Sequence, residues 1–249
     1  MWKKKYIQQF ISFDVRKLPK GCNVATMTIF LKLKDNNMQI DLKSFYESVD
    51  VTKDDIHYIE YENEFKCYQF EKKRTKKKIS NFQNSLSLYI KIRNNYIHFN
   101  FFKNGTIHGT GIKDVKDFID AVYLIKKKIS SDMQIQLISI SMININFILP
   151  YELNKNILKK VLREQNVHYN INKTQNISIY FYTSKSKEIL ITIHKNSLII
   201  SKCTCEIDII ESYNWINQLL KNNKNQLIDI SIEEVLANNS ILKSNYNGK

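Results

Sequence analysis

The chain has 249 residues, 43% of them hydrophobic, with only 5 Gly and 2 Pro. That length holds one large domain or two small ones, and the scarcity of Gly and Pro excludes a loop-rich or disordered chain. The formal charge of +14 points to a polyanion partner, most simply nucleic acid, against the alternative of drift towards Lys codons in an AT-rich genome.

Four cysteines, Cys22, Cys67, Cys203 and Cys205, form no C-x-x-C pair, and no His stands at zinc-ligand spacing from Cys203-x-Cys205. A reducing compartment is expected, with no metal and no cofactor. The N-terminus lacks the apolar core of a signal peptide, and no run approaches the roughly 20 apolar residues of a membrane span. No membrane partner is expected.

In chain order, residues 1–18 read as a basic, aromatic-flecked arm, and Pro19-Lys20-Gly21 as a turn. Val24–Lys34 predicts a strand. Asp41 caps a short helix on which Leu42, Phe45, Tyr46 and Val49 recur at helical spacing. Ile56-His57-Tyr58 starts another strand. Residues 60–80 read as a solvated basic insertion carrying Lys72, Lys73, Arg74, Lys76, Lys77 and Lys78, either a solubilising run or a phosphate clamp. Leu86, Leu88, Ile90 and Ile92 alternate with Ser85, Ser87, Tyr89 and Lys91 in a half-buried strand.

The stretch YIHFNFFKNGTIHGTG (96–111) predicts a hairpin turning at Asn104-Gly105, since Asn-Gly supplies positive φ at low cost. Ile97, Phe99 and Phe101 share its apolar face. Phe102, Thr106, His108 and Thr110 share the other, which mixes polar, small and aromatic groups. Asp114 then caps a helix with Val115, Phe118, Val122, Ile125 and Ile129 on one stripe, and Lys126-Lys127-Lys128 as a solvated end.

The pattern then repeats. Leu137–Leu149 reads as a strand and Leu153, Ile157, Val161 and Leu162 as a helix. Ile177, Ile179 and Phe181 form a strand, EILITIHKNSLIISKC a second hairpin, and Ile209, Tyr213, Ile216 and Leu219 a second long helix. Residues 229–249 read as a polar tail. From Tyr58 to Gln83 is 25 positions and from Tyr169 to Gln175 only 6, so the copies differ by 19 residues, all at the basic run. The expected organisation is an arm (1–18), a first repeat (19–131) with an insertion (60–80), a second repeat (132–228) and a tail (229–249). Each repeat reads as one sheet covered on one face by helices, an α+β arrangement.

This order and duplication, with FKNGTIHGTG (102–111) and SISMININFILPYELNKNILKKVL (139–162), resemble the TATA-box-binding protein family, particularly its divergent forms in large DNA viruses. The likeness runs over residues 20–228. The resemblance implies a saddle of two pseudo-symmetric repeats sharing one curved antiparallel sheet, with helices on the convex face and the concave face in the DNA minor groove. There, phenylalanine wedges bend the duplex, and small polar side chains read A·T character.

Residue by residue, Phe102 matches a wedge, and Ser85 stands where the other wedge of that half would be. Asn104, Thr110 and Asn23 match minor-groove positions. Thr106 replaces a phosphate-contacting Lys and His108 a Val. In the second half His194 replaces the wedge, Asn196, Leu198 and Ile200 follow it along the strand, and Lys202 replaces Thr. Tyr89 shares the open face of the first repeat. Lys91, Arg93, Lys103, Lys185, Lys187 and the basic run would contact phosphates.

The function so implied is transcription initiation without catalysis: binding, and with it bending, of AT-rich double-stranded promoter DNA, and recruitment of a transcription factor IIB-like protein and RNA polymerase. The location would be the nucleus, or a cytoplasmic viral factory or virion for a viral protein. The alternative is a saddle-fold protein-interaction platform with little specific DNA binding. An enzyme is disfavoured because no Asp/Glu cluster marks a catalytic site.

Overall fold

The computed structural model describes residues 11, 13–33, 40–52, 55–68, 85–129 and 134–231. The basic run from Lys72 to Lys78 lies outside the described residues. The chain divides into two compact units. Of the described residues, the first holds 11, 13 and 26–142, and the second 14–25 and 143–231.

In unit 1 the strands stand in the order β3 (Glu64–Cys67), β2 (Ile56–Tyr61), β4 (Ser85–Ile92), β5 (Asn95–Phe102), β6 (Thr106–Ile112), β1 (Asn23–Leu33, of which the unit holds 26–33). Each described pairing is antiparallel. Strict alternation places Leu86, Leu88, Ile90, Ile97, Phe99, Phe101 and Ile107 on one face, all of them buried. Helices α1 (Leu42–Ser48) and α2 (Val115–Ile129) cover that face. Phe45 packs edge-on to Phe101 at 5.3 Å between ring centroids, and Phe118 stacks on Phe99 at 5.9 Å. Each such aromatic contributes about 1.5–3 kcal/mol through burial. Asp41 caps α1 by accepting the Ser44 N–H, and Asp114 caps α2 by accepting the Lys116 N–H.

The expected solvated loop over residues 60–80 is corrected at its start. Glu62 and Asn63 both take positive φ and close a tight hairpin between β2 and β3. The solvated end of α2 is corrected too: Lys126 is buried, while Lys127 and Lys128 are exposed.

In unit 2 the order is β7 (Ile135–Ile148, of which the unit holds 143–148), β12 (Ser197–Cys203), β11 (Glu188–Ile193), β10 (Ile177–Tyr182), β9 (Tyr169–Ile171). Ile143, Ile145, Ile177, Ile179, Ile189, Ile191 and Ile193 are buried beneath α3 (Lys155–Glu164) and α4 (Glu206–Asn222). Leu153 is a strand residue rather than the first of a helix. It lies in β8 (Tyr151–Leu153), and Asn154 caps α3 behind it. A short helix, α5 (Lys224–Leu227), leads into β13 (Ile228–Ser231), which pairs with β8. The first residues of the expected polar tail therefore form a strand.

The duplication extends to fine geometry. Leu33 N–H donates to the Gly105 carbonyl, and Leu149 N–H to that of Asn196. Both units carry a bulge just before the long helix, at Gly111 (φ +78°) in β6 and Lys202 (φ +68°) in β12. Asp117 and Asp208 sit in the first turn of the two long helices, both buried.

One difference changes the reading of the second repeat. Five residues separate the paired Phe101 and Ile107, but only four separate the paired Ile193 and Leu198. The second turn is one residue shorter. A strand alternates with period two, so every later residue changes face.

Candidate nucleic-acid interface

The open face of unit 1 is built by the residues that alternate with the core. Across β1, β6, β5 and β4 one row reads Phe30, His108, Asn100, Ser87, each opposite the next. Phe30 meets His108 at 4.1 Å between centroids, and Phe102 meets it from the other side at 4.8 Å. Burial lowers the His108 imidazole from its ordinary value and so favours the neutral ring. Ser87 Oγ donates to Asn100 Oδ1 at 2.6 Å. In the adjoining row Thr110 Oγ1 lies 3.4 Å from His98 Nδ1, and Tyr89 stacks on His98 at 4.4 Å. Phe102, Asn104, Thr106, His108, Thr110, Ser85 and Tyr89 are thus brought to one face or its rim. Asn104 is exposed in the turn, where its Oδ1 accepts the Thr106 N–H.

Phe30 was not singled out from the sequence. The signal was available in the alternation of Met27, Ile29 and Leu31, all buried, which turns Phe30 to the open side. The pairing of Phe30 with His108 was not legible, because it depends on the register between strands 78 residues apart in sequence.

Among the predicted cations the arrangement is uneven. Lys91 and Lys103 are exposed. Arg93 bonds Asp117 and reaches Asp120 at 3.1 Å, both on α2, so it anchors a turn to a helix. Lys187 does the same in unit 2, at 2.5 Å from Asp208 Oδ2. Lys185 is exposed. Asn23 is exposed at the start of β1 and donates to the Gly21 carbonyl.

In unit 2 the shorter turn overturns two assignments and shifts the register of two more. Leu198 and Ile200 are fully buried on the helix side and do not belong to an open surface. Ser197, Ile199 and Ser201 take the places of Thr106, His108 and Thr110. Lys202 is the bulge residue, the counterpart of Gly111, and is held by Glu188 at 2.5 Å. That pair lowers the Glu188 carboxyl and raises the Lys202 ammonium. Asn196 is a turn residue matching Gly105, not Asn104.

His194 keeps the place matching Phe102, at the end of β11. The open face there reads Asn146, Ile199, Thr192, Ser178, Asn170 from strand to strand, with Asn144 two residues from Asn146. Asn144 Oδ1 and His194 Nε2 are buried and have no hydrogen-bond partner among the described residues. Burying such groups unpaired is costly.

Burial raises the Cys203 thiol to about 12 and the Cys22 thiol to about 11, which disfavours the nucleophilic thiolate at both. No group of three or more His, Cys, Asp and Glu able to hold a metal occurs among the described residues. No described helix is long and apolar enough to cross a membrane.

No protein-family model matches the chain. A TATA-box-binding protein-like protein of Acanthamoeba polyphaga mimivirus is 26% identical over 190 residues, covering 66% of this chain and 50% of that protein. The chain thus spans about half the length of that curated relative. The solved structure of Methanococcus jannaschii TBP matches with a TM-score of 0.55 at 17% identity, covering 81% of this chain and 98% of that one. The fold is the α+β fold of the TATA-box-binding proteins, and the chain is a divergent protein of that likeness.

Proposed function

We propose that this TATA-box-binding-protein-like chain is a transcription initiation factor that binds AT-rich promoter duplex in the minor groove through the open sheet faces of its two units. The observation that carries this reading is the Phe102–His108–Phe30 cluster on the unit 1 face, set among Thr106, Thr110, Asn100 and Ser87. A neutral, partly apolar, small-polar surface suits a groove that presents acceptors and sugar edges, where charged carboxylates would be repelled. Phe102 is the wedge. Lys91, Lys103, Lys185 and the basic run supply phosphate attraction. In unit 2 no phenylalanine stands at the His194 position. The kink is therefore expected at the unit 1 end. Bound DNA then recruits a transcription factor IIB-like protein and RNA polymerase.

The rival reading, a protein-interaction platform, is favoured by the engagement of Lys202 with Glu188 on unit 2. Fluorescence-detected binding and bending of end-labelled duplexes, AT-rich against GC-rich over a salt series, separates the two. AT-preferring binding with a bend that Phe102→Ala removes supports the minor-groove reading. Sequence-blind binding that disappears with salt, unchanged in Phe102→Ala, overturns it and favours the platform.

A further inference from the structure

The charge of the unit 2 sheet is confined to one contact. Its strands β7, β12, β11, β10 and β9 carry one carboxylate, Glu188, and one Lys or Arg, Lys202. Glu188 opens β11 and turns to the open side, because Ile189, Ile191 and Ile193 are buried beneath the helices. Lys202 Nζ donates to Glu188 Oε1 at 2.5 Å, and the Tyr182 hydroxyl, opposite on β10, donates to Oε2 at 3.3 Å. Each carboxylate oxygen thus has a donor. Tyr182, and Tyr180 with His168 stacked on it at 4.7 Å, are the other titratable groups that act on the pair. The pair stays in contact with water, the Glu188 side chain being 36% exposed and that of Lys202 48%. Unit 1 differs in the matching row. Tyr96 stands five residues before the buried Phe101, as Glu188 stands five before the buried Ile193. Tyr96 lies opposite Lys91, with the Lys91 ammonium 5.9 Å from its ring, and the bulge residue is Gly111. These three include a Lys and no acid.

We propose that Glu188 limits the affinity of the unit 2 face for nucleic acid: it holds Lys202 in place of a phosphate, and a duplex laid there has to displace it. The inference rests on the minor-groove reading, which puts the duplex on this face. Carboxylate and phosphate draw on the same ammonium, so the contact formed with a phosphate is offset by the one lost with Glu188. These five strands hold no second Lys or Arg to take its place. An exposed ion pair is weak in water, so the restraint trims affinity and does not abolish binding.

The test is fluorescence anisotropy of the full chain with labelled AT-rich and GC-rich duplexes over a salt series, for wild type, Glu188→Gln, Lys202→Ala and the double variant. Glu188→Gln keeps the shape of the side chain and removes its charge. It should tighten duplex binding about two- to fivefold, the range an exposed ion pair allows. It should also steepen the slope of log K against log salt by about 0.9, as one more phosphate is neutralised. A gain of this kind does not arise from misfolding. In the Lys202→Ala background the same substitution should leave the slope unchanged. Unchanged affinity in Glu188→Gln overturns the proposal. So does an equal change of slope with and without Lys202, since the acid then acts by repelling the duplex and not by holding the ammonium. Sequence-blind binding by wild type counts only against the minor-groove reading, and the slopes of the Glu188→Gln pair still decide whether Lys202 is withheld from phosphate.

Discussion

His108 shows how one residue ties the face to folding. Its ring sits between Phe30 and Phe102, and burial holds its titration below that of an exposed imidazole. The unfolded chain then binds the proton more readily than the folded one. Stability from this residue is full above the ordinary histidine value, about 6.5. It falls as pH drops below that value, until the folded form is protonated too. Denaturant titrations at pH 7.5 and 5.5 should show this loss in wild type and a smaller one in His108→Gln. Gly111 makes the second residue-scale case. Its φ is +78°, and an added Cβ would lie 2.9 Å from the Tyr96 carbonyl oxygen. Gly111→Ala should cost about 1–2 kcal/mol by denaturant unfolding. Its counterpart Lys202 carries a side chain at φ +68°, so Lys202→Gly should raise the melting temperature.

At the scale of elements, the two buried aspartates fasten hairpin to helix. Asp117 takes Arg93 and the Asn95 amide, and Asp208 takes Lys187 and the Thr204 N–H. Burial alone would raise the Asp208 carboxyl, but the hydrogen bonds from Lys187 and Thr204 outweigh it and hold the group below its ordinary value. Its contribution is therefore present above the ordinary carboxylate range and disappears as pH falls through the lowered value. Asp208→Ala should cost about 1–3 kcal/mol at pH 7, and the difference from wild type should shrink in strong acid. A variant no less stable than wild type at neutral pH would refute the role given to this residue. The helix stripes were legible because apolar residues recur every three or four positions. The partners of Asp117 and Asp208 were not, since a first-turn acid reads equally as a dipole-compensating surface charge.

For the whole molecule, the charge of +14 bears on association with polyanions rather than on the fold. If the six basic residues between Lys72 and Lys78 each neutralise a phosphate, replacing all six by Ser should flatten the slope of log K against log salt by about 5. The AT over GC ratio should stay the same, because phosphates carry no base identity. A preserved slope would place that run away from DNA. The charge sum alone does not separate a DNA-binding protein from Lys-rich drift. The salt slope of the six-residue variant does so directly.

What the sequence determined by itself was the set of local periods: alternation in each strand, the helical stripes, the Asp41 and Asp114 caps, the Asn104-Gly105 turn and the duplication. All of these follow from neighbours a few residues apart. Tertiary structure alone decided the faces of the second hairpin, because loss of one turn residue reverses the parity of β12 and buries Leu198 and Ile200 where Ser197, Ile199 and Ser201 are open. It also decided that β3 extends one sheet and that β13 returns to β8, since short strands are stabilised by the partner they pair with and carry little pattern of their own.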